Sequence, residues 1–312
     1  MKHDITNLAA SVNQRLLNLR DSRKEDFQIV LNRFGLERFL YRISRSPFVD
    51  QLILKGAFSF ELWGKDLYRP TRDADFLGLL GPSAEEIRRV FALICEQNVE
   101  PDGLIFDPES VSVAVIREQN MFGGLRVRLT ASLQRIRIHL QFDVCVGERI
   151  KPKPKTAEFP TILPFPAPRI LIYPKELTIA DKFHAMCKLG ILNSRVKDYY
   201  DLYQLSRHFP FMGIALKNGI SVVFKQEKSI IPSGVPEALT DTFGQIREKR
   251  TLWKRFLVRI EKGSLNLEFN QVIESIREFI LPPAKSAAEK KRFDLYWPPG
   301  GPWRPQEKNH DG

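Results

Sequence analysis

The sequence predicts an α+β protein in which a mixed sheet with helices is followed by a helical domain. Arg135–Val146 alternates apolar and polar residues strictly, which is the period of a strand with one buried face. After Pro174 the apolar residues recur at helical spacing instead. Between the two regions, prolines over residues 151–168 exclude a helix and favour an extended connector. We therefore expect an α+β domain with N-terminal helices over 1–169, a helical domain over 170–284 and an extended Pro/Gly-rich tail over 285–312.

Composition narrows the class of protein. The 312 residues are 43% hydrophobic and 27% charged, which is typical of a globular protein. Lysine and arginine outnumber the acids 48 to 37, and the resulting charge of +11 favours polyanionic partners such as nucleic acid. The three cysteines have no close spacing, which argues against a disulfide framework or a zinc site. With no signal-peptide core and no apolar run that could span a bilayer, we expect a cytoplasmic protein without a membrane segment.

The order of elements in the first domain follows from periodicity and breakers. Apolar spacing predicts two N-terminal helices, and Ser46-Pro47 ends the second. Ser83, followed by two glutamates, is a predicted N-cap. The predicted helices are 4–19, 26–44, 56–63 and 83–96, and the predicted strands are 52–54, 71–77, 111–116, 124–130, 135–146 and 170–173.

The second domain reads as helical almost throughout. One helix covers 177–187 and ends at Gly190, and another opens at Asn193. The basic stretch 247–262 contains Trp253, and its pattern fits either an RNA-binding surface or a charged helix face around a buried tryptophan. In the tail, the tryptophans of 297–303 either pack against the domain or extend from it.

The chemistry-bearing residues begin with Asp73 and Asp75. On a strand, residues two apart point to the same side, so two carboxylates repel one another unless a cation lies between them. Such oxygen ligands suit Mg²⁺ shared with substrate phosphates. Just upstream, Gly56 lets the backbone approach a ligand closely, and the N–H groups that follow suit a phosphate. The alternative is a solvated Asp-x-Asp at a strand end, preceded by a glycine cap.

Three further residues are candidates by position. Asp143 shares the polar face of its strand with Gln141 and His139, either as a third carboxylate or as a solvated side chain. Lys182 lies on the helix 177–187, where a lysine supplies a point charge for phosphate oxygens or is an ordinary surface residue. Asp198 lies in the first turn of the next helix, where an acid also stabilises the helix dipole.

Several of these segments together resemble one family. Lys55-Gly56-Ala57 followed by Arg69-Pro70-Thr71-Arg72-Asp73-Ala74-Asp75 is similar to the AbiEii/MenT-like nucleotidyltransferases, the toxin halves of bacterial type IV toxin–antitoxin systems. The similarity extends to Leu-Gln-Phe-Asp-Val around Asp143, to Ala-Asp-Lys at Lys182 and to Arg-x-Lys-Asp-x-x-Asp-Leu at 195–202. In one respect the chain departs from the pattern: many members have Gly-Gly or Gly-Ser and then a small residue at the phosphate turn. This chain has Gly56-Ala57-Phe58, which leaves only backbone contacts there.

The resemblance implies a polymerase-beta-type nucleotidyltransferase fold and an enzyme that moves a nucleotide from a nucleoside triphosphate to RNA, with the tRNA 3′ end as the expected acceptor. It implies Mg²⁺ or Mn²⁺ and a winged-helix antitoxin encoded nearby. The implied roles are metal binding for Asp73, Asp75 and Asp143, nucleotide binding for Lys55, Gly56, Ala57, Thr71, Arg72 and Lys182, and orientation of the lysine or nucleotide by Asp198. The main alternative is a non-catalytic nucleotide- or RNA-binding module with the same fold, and a purely structural interaction protein is a further one.

Overall fold

The structure, a computed structural model, describes residues 2–64, 71–116, 124–148, 150–260 and 267–306, with side chains from residue 8 onward. The chain divides into two compact units, Met1–Tyr173 and Pro174–Gly312, which are described separately below. Within the described residues, no helix combines the length and apolarity that crossing a membrane requires.

The first unit is built on a seven-stranded mixed sheet. Its strands are β1 (Leu52–Lys55), β2 (Asp73–Gly78), β3 (Leu104–Ile116), β4 (Gly124–Leu133), β5 (Ile136–Val146), β6 (Lys155–Glu158) and β7 (Arg169–Ile172). They lie in the order β3-β4-β5-β2-β1-β7-β6. The pairs β2–β5 and β1–β7 are parallel, and the other neighbours are antiparallel. The predicted mixed sheet with helices is therefore present, with β2 near its centre.

Three helices accompany this sheet: α1 (Lys2–Arg23), α2 (Phe27–Ser44) and α3 (Ala84–Cys95). Helix α2 is buried along most of its length, and Phe39 lies 4.6 Å from Phe142 of β5 and 5.5 Å from Phe91 of α3 between ring centroids. The alternation predicted for β5 is confirmed, because Ile138, Leu140, Phe142 and Val144 are all buried. The predicted cap of α3 is confirmed as well: the Ser83 hydroxyl accepts a hydrogen bond from the Glu86 N–H at 3.1 Å.

Three details of this unit differ from the sequence expectation. Strand β3 begins at Leu104 and not at Val111, because it continues through an irregularity between Asp107 and Ser112 that accommodates Pro108. The predicted helix 56–63 is a 3₁₀ helix, Ala57–Leu62. Strand β7 pairs with β1, so the first compact unit continues to Tyr173, beyond the expected limit at residue 169.

The second unit is mainly helical. Its helices are α4 (Lys175–Leu189), α5 (Val196–His208), α6 (Gly213–Gln226), α7 (Asp241–Gln245), α8 (Arg247–Arg259) and α9 (Phe269–Ala288). Aromatic rings fill its interior, with Phe269 lying 5.1 Å from Tyr199 and 5.2 Å from Trp253 between ring centroids. Trp253 is 1% exposed and donates its indole N–H to the Leu267 carbonyl. The buried tryptophan of the second interpretation is therefore confirmed, and RNA binding by the basic face stays a prediction; Lys262 lies outside the described residues.

The C-terminal segment is not an extended tail from residue 285. Helix α9 runs through two prolines to Ala288, and a small sheet follows, in which β9 (Leu295–Trp297) lies between β8 (Phe211–Met212) and β10 (Arg304–Pro305). Trp297 is 3% exposed and donates its indole N–H to the Ser206 carbonyl at 2.8 Å. Burial of this large ring outweighs the proline- and glycine-rich composition that predicts an extended chain.

Candidate active site

Strand β2 places its two aspartates in the middle of the sheet. Ala74 between them is fully buried, whereas Asp73 and Asp75 are half-buried on the opposite, polar face. In the ladder with β5, Asp75 is opposite Asp143, and in the ladder with β1 it is opposite Lys55. Directly opposite residues share one face of a sheet, so Lys55, Asp75 and Asp143 form a row across three strands.

The turn after β1 brings backbone against one of these acids. Gly56 has φ 70° and ψ −163°, a conformation essentially restricted to glycine. A Cβ atom at this position would lie only 1.9 Å from Oδ2 of Asp75. Glycine is therefore required here both by the backbone and by the proximity of the carboxylate. Ala57 begins the 3₁₀ helix, and Ser59 closes the turn by donating its hydroxyl to the Gly56 carbonyl at 2.7 Å.

The residues just before β2 lie beside the first aspartate. The Thr71 hydroxyl donates a hydrogen bond of 2.7 Å to Oδ1 of Asp73. Arg72 is exposed. Lys55 has its ammonium group 5.0 Å from the centre of the Tyr173 ring. The motif residues Arg69 and Pro70 lie outside the described residues.

A cross-strand arginine engages the third aspartate. Arg126 of β4 is opposite Asp143 in the ladder and donates two hydrogen bonds to its carboxylate, Nε to Oδ1 at 2.8 Å and Nη2 to Oδ2 at 2.7 Å. Arg126 is not among the site residues predicted from the sequence. Its only signal was the polar position in the alternation of β4, and its pairing with Asp143 depends on the register of two strands.

This pairing bears on the metal expected at the three acids. Asp73 and Asp75 offer carboxylate oxygens on one face of one strand, which fits a hard divalent cation. Asp143 is adjacent, but both of its oxygens are used by Arg126. Among the described residues, no group of three or more His, Cys, Asp or Glu side chains could hold a metal ion. The first two acids thus fit the cation, and Asp143 keeps one lone pair on each oxygen beside its hydrogen bonds from Arg126.

The helical unit holds a second cluster of charges. Lys182 of α4 donates to Oδ1 of Asp198 at 2.6 Å and to Oδ2 of Asp201 at 2.9 Å, both on α5. The guanidinium of Arg195 donates to the other oxygen of Asp198 at 2.6 Å. Both aspartate side chains are only 1% exposed, and that of Lys182 is 12% exposed. The structure thus brings Lys182 and Asp198 together, as predicted. It adds Asp201 and Arg195 to the cluster, and the spacing of the 195–202 motif places both of them at the start of α5.

The electrostatics of this cluster are set by its buried acids. Burial alone would raise the pKa of Asp198, but the adjacent Lys182 ammonium and Arg195 guanidinium outweigh it and hold that pKa well below its usual range. Asp198 is therefore a carboxylate at neutral pH. Lys182 is a partly buried cation held by two carboxylates, and it is not the ordinary surface lysine of the alternative reading.

The comparison with protein families identifies the chain. The model of the nucleotidyl transferase AbiEii toxin family, type IV toxin–antitoxin system, matches residues 38–278, well over half of the sequence. The chain belongs to the AbiEii family. Both clusters of charged residues, from Lys55 to Asp201, lie within the range that the AbiEii model matches. Helix α1 and the small C-terminal sheet include residues outside that range. The fold expected from the resemblance, a nucleotidyltransferase α+β unit followed by a helical unit, is thereby confirmed at the level of the family.

Two solved structures from Helicobacter pylori show limited likeness to this AbiEii chain. One, described as a candidate nucleotidyltransferase, is 17% identical, with a TM-score of 0.42, over 83% of this chain and 95% of that one. The other, JHP933, is 15% identical, with a TM-score of 0.43, over 83% of this chain and 92% of that one. A search of curated proteins found no match.

Proposed function

We propose that the chain is a metal-dependent nucleotidyltransferase that transfers a nucleotide from a nucleoside triphosphate to the 3′ end of an RNA, with tRNA as the expected acceptor. The observation that supports this most directly is the position of Asp73 and Asp75 between the Gly56 turn on one side and Asp143 on the other. We place its action in the cytosol and expect a winged-helix antitoxin as its partner, in keeping with a family of type IV toxin–antitoxin systems.

In this proposal the residues of the sheet and its turns have different roles. Asp73 and Asp75 would hold Mg²⁺ or Mn²⁺, which on binding neutralises phosphate charge and stabilises the attacking and leaving oxygens. The backbone of Gly56 and Ala57, with Lys55, Thr71 and Arg72 nearby, holds the triphosphate. Asp143 takes the proton of the acceptor hydroxyl on one of its carboxylate oxygens, each of which keeps a lone pair beside its hydrogen bond from Arg126.

We assign the cluster of the helical unit to the nucleotide as well. Lys182 is the cation that contacts phosphate oxygens, and Asp198 orients its ammonium group through the 2.6 Å hydrogen bond. A lysine held by two buried carboxylates is fixed in position before substrate binds, so it loses little side-chain entropy on contacting a phosphate.

A second candidate is the non-catalytic nucleotide- or RNA-binding module. The bidentate Arg126–Asp143 pair favours it, because a carboxylate whose charge is offset by a guanidinium is a weaker metal ligand and a weaker proton acceptor.

Replacing Asp75 by alanine separates the two candidates. We expect Asp75→Ala to abolish transfer of label from nucleoside triphosphates to tRNA in the presence of Mg²⁺, with a thermal midpoint near that of the wild type, since losing one of two adjacent carboxylates relieves repulsion. Asp50→Ala is the matched control, because Asp50 is an exposed acid of the same unit. If Asp75→Ala transfers label as fast as Asp50→Ala, the catalytic assignment is wrong. A wild-type protein that binds nucleotide or RNA but transfers none points to the binding module.

A further inference from the structure

The Gly56 turn leads into a short 3₁₀ helix, Ala57–Leu62, whose position depends on other segments. A 3₁₀ helix has poorer hydrogen-bond geometry than an α-helix, and stretches longer than three or four residues are uncommon. This one has six residues and directly follows Gly56, whose backbone lies close to the carboxylate of Asp75. The contacts that hold this helix therefore also decide where the backbone of Gly56 and Ala57 lies.

A buried arginine of α2 contacts this helix at two points. The Arg33 guanidinium forms an ion pair with the carboxyl group of Glu61, and the two side chains are only 9% and 10% exposed. The same guanidinium lies over the Phe58 ring, 5.4 Å from its centroid. One contact is near the start of the 3₁₀ helix and the other is near its end. Arg33 therefore fixes the helix along its length.

The guanidinium is itself held by the segment that precedes β7. Arg33 donates a hydrogen bond of 3.2 Å to the Pro160 carbonyl and lies 5.2 Å from the centre of the Phe159 ring. The Phe159 ring lies 4.8 Å from that of Phe58 between centroids. Arg33 thus joins three segments of the first unit, namely α2, the 3₁₀ helix and the residues before β7.

A second acid shares the guanidinium but belongs to a different element. Glu37 of α2 accepts from Nη1 of Arg33 at 3.1 Å and from the Ile162 N–H at 2.8 Å, and its side chain is fully buried. Glu37 therefore binds Arg33 from within α2, whereas Glu61 binds it from the 3₁₀ helix. Removing either acid takes one partner from the arginine, but only the loss of Glu61 detaches the helix. The two acids form a matched pair for an experiment.

We propose that Glu61 and Arg33 are positioning residues for the nucleotide, an inference that rests on the proposed function. Their contact fixes the 3₁₀ helix before the triphosphate binds, so the backbone of the Gly56 turn loses little freedom on binding. The role depends on a hydrogen-bond acceptor at residue 61. Burial raises the pKa of Glu61 to about 7 against the opposing charge of Arg33, and the carboxyl group accepts a hydrogen bond in either protonation state.

The test measures nucleotide binding separately from transfer. Isothermal titration calorimetry of the full chain with each ribonucleoside triphosphate and Mg²⁺, without RNA, gives the Kd for the wild type, Glu61→Leu, Glu61→Gln and Glu37→Leu. The KM for nucleotide, the KM for RNA, kcat and the thermal midpoint are measured on the same proteins. Glu61→Leu removes the acceptor and Glu61→Gln keeps one. If Glu61→Leu does not fold, Glu61→Met replaces it, because methionine adapts to irregular space.

The two acids should differ in their effect on nucleotide binding. We expect Glu61→Leu to raise the Kd and KM for nucleotide about fivefold or more, the effect of one lost hydrogen bond, and to change kcat and the KM for RNA much less. Glu61→Gln should bind nucleotide within about twofold of the wild type, because the acceptor remains. Glu37→Leu should lower the thermal midpoint and leave the Kd for nucleotide unchanged.

The outcomes separate this inference from the proposed function. If the wild type binds nucleotide but transfers none, the transferase is refuted, and a raised Kd for Glu61→Leu alone still supports the positioning role. Equal Kd values for Glu61→Leu and the wild type overturn the inference. An equal rise in Kd for Glu37→Leu also overturns it, because both acids would then act through stability. A wild type that binds none of the triphosphates refutes it as well.

Discussion

Adding a single methyl group at Gly56 tests the geometry on which the candidate site depends. Gly56→Ala forces an L side chain into a backbone region that costs such residues about 1–3 kcal/mol. The new Cβ would also lie 1.9 Å from Oδ2, 2.8 Å from Cγ and 3.0 Å from Cβ of Asp75, so the whole carboxylate must rotate away. We expect the thermal midpoint to fall by about 2–4 °C per kcal/mol. Transfer should fall by about a hundredfold or more, because a misplacement of about 1 Å at a reacting centre has that effect.

Two control variants separate strain from the loss of the site. Gly103→Ala also meets a positive φ, of 81°, with Ala9 Cα at 3.2 Å and none of the candidate catalytic acids among its nearest atoms, so it should lower the midpoint and leave transfer intact. Adding Gly56→Ala to Asp75→Ala should cost less stability than adding it to the wild type, since the clash is gone and only backbone strain remains. Nucleotide transfer and calorimetry on all four variants give the answer. If Gly56→Ala transfers nucleotide as well as Gly103→Ala, the position of the Asp75 carboxylate is irrelevant to function and the reasoning fails.

Three further perturbations probe the two units. Lys182→Ala should lower the free energy of unfolding by about 3–5 kcal/mol and also lower activity, because it leaves two buried carboxylates without their ammonium partner. The control Lys188→Ala replaces an exposed lysine and should change neither quantity appreciably. Equal denaturation midpoints for the two variants would contradict the buried cluster. Burial raises the pKa of Glu61 to about 7 against the opposing charge of Arg33, so the folded state binds the extra proton. Relative to Glu61→Gln, the free energy of unfolding of the wild type should therefore fall by up to about 3 kcal/mol as pH rises from about 4.5 to 7. If urea unfolding gives a difference between the two proteins that does not change with pH, the raised pKa of Glu61 is wrong. Trp297→Ala should cost about 3–5 kcal/mol in calorimetric unfolding, whereas an unchanged transition would mean that the C-terminal segment does not pack.

Local pattern was enough to predict the elements that position the site. The alternation of apolar and polar residues in β5 predicted a strand with one apolar face, and the same alternation placed Asp143 on the opposite, polar face. The spacing of Asp73 and Asp75 fixed their common side in the same way. The capping of α3 by Ser83 depends on residues three apart, so it too is written in the sequence. Interactions between residues two or three apart depend on the local sequence and not on contacts with distant segments.

The partners of these residues were decided only by the tertiary structure. Arg126 meets Asp143 because β4 and β5 pair in one register, and a shift of one residue would turn the two side chains to opposite faces. Lys182 looks like a surface lysine until packing of α4 and α5 buries two aspartates against it. Trp253 lies in a basic stretch and Trp297 in a proline- and glycine-rich one, yet both rings are buried, because burial depends on which surfaces meet and not on neighbours along the chain. The sequence by itself determined which residues share a face; which residues then touch, and which charges are paired, followed from contacts between segments far apart in the chain.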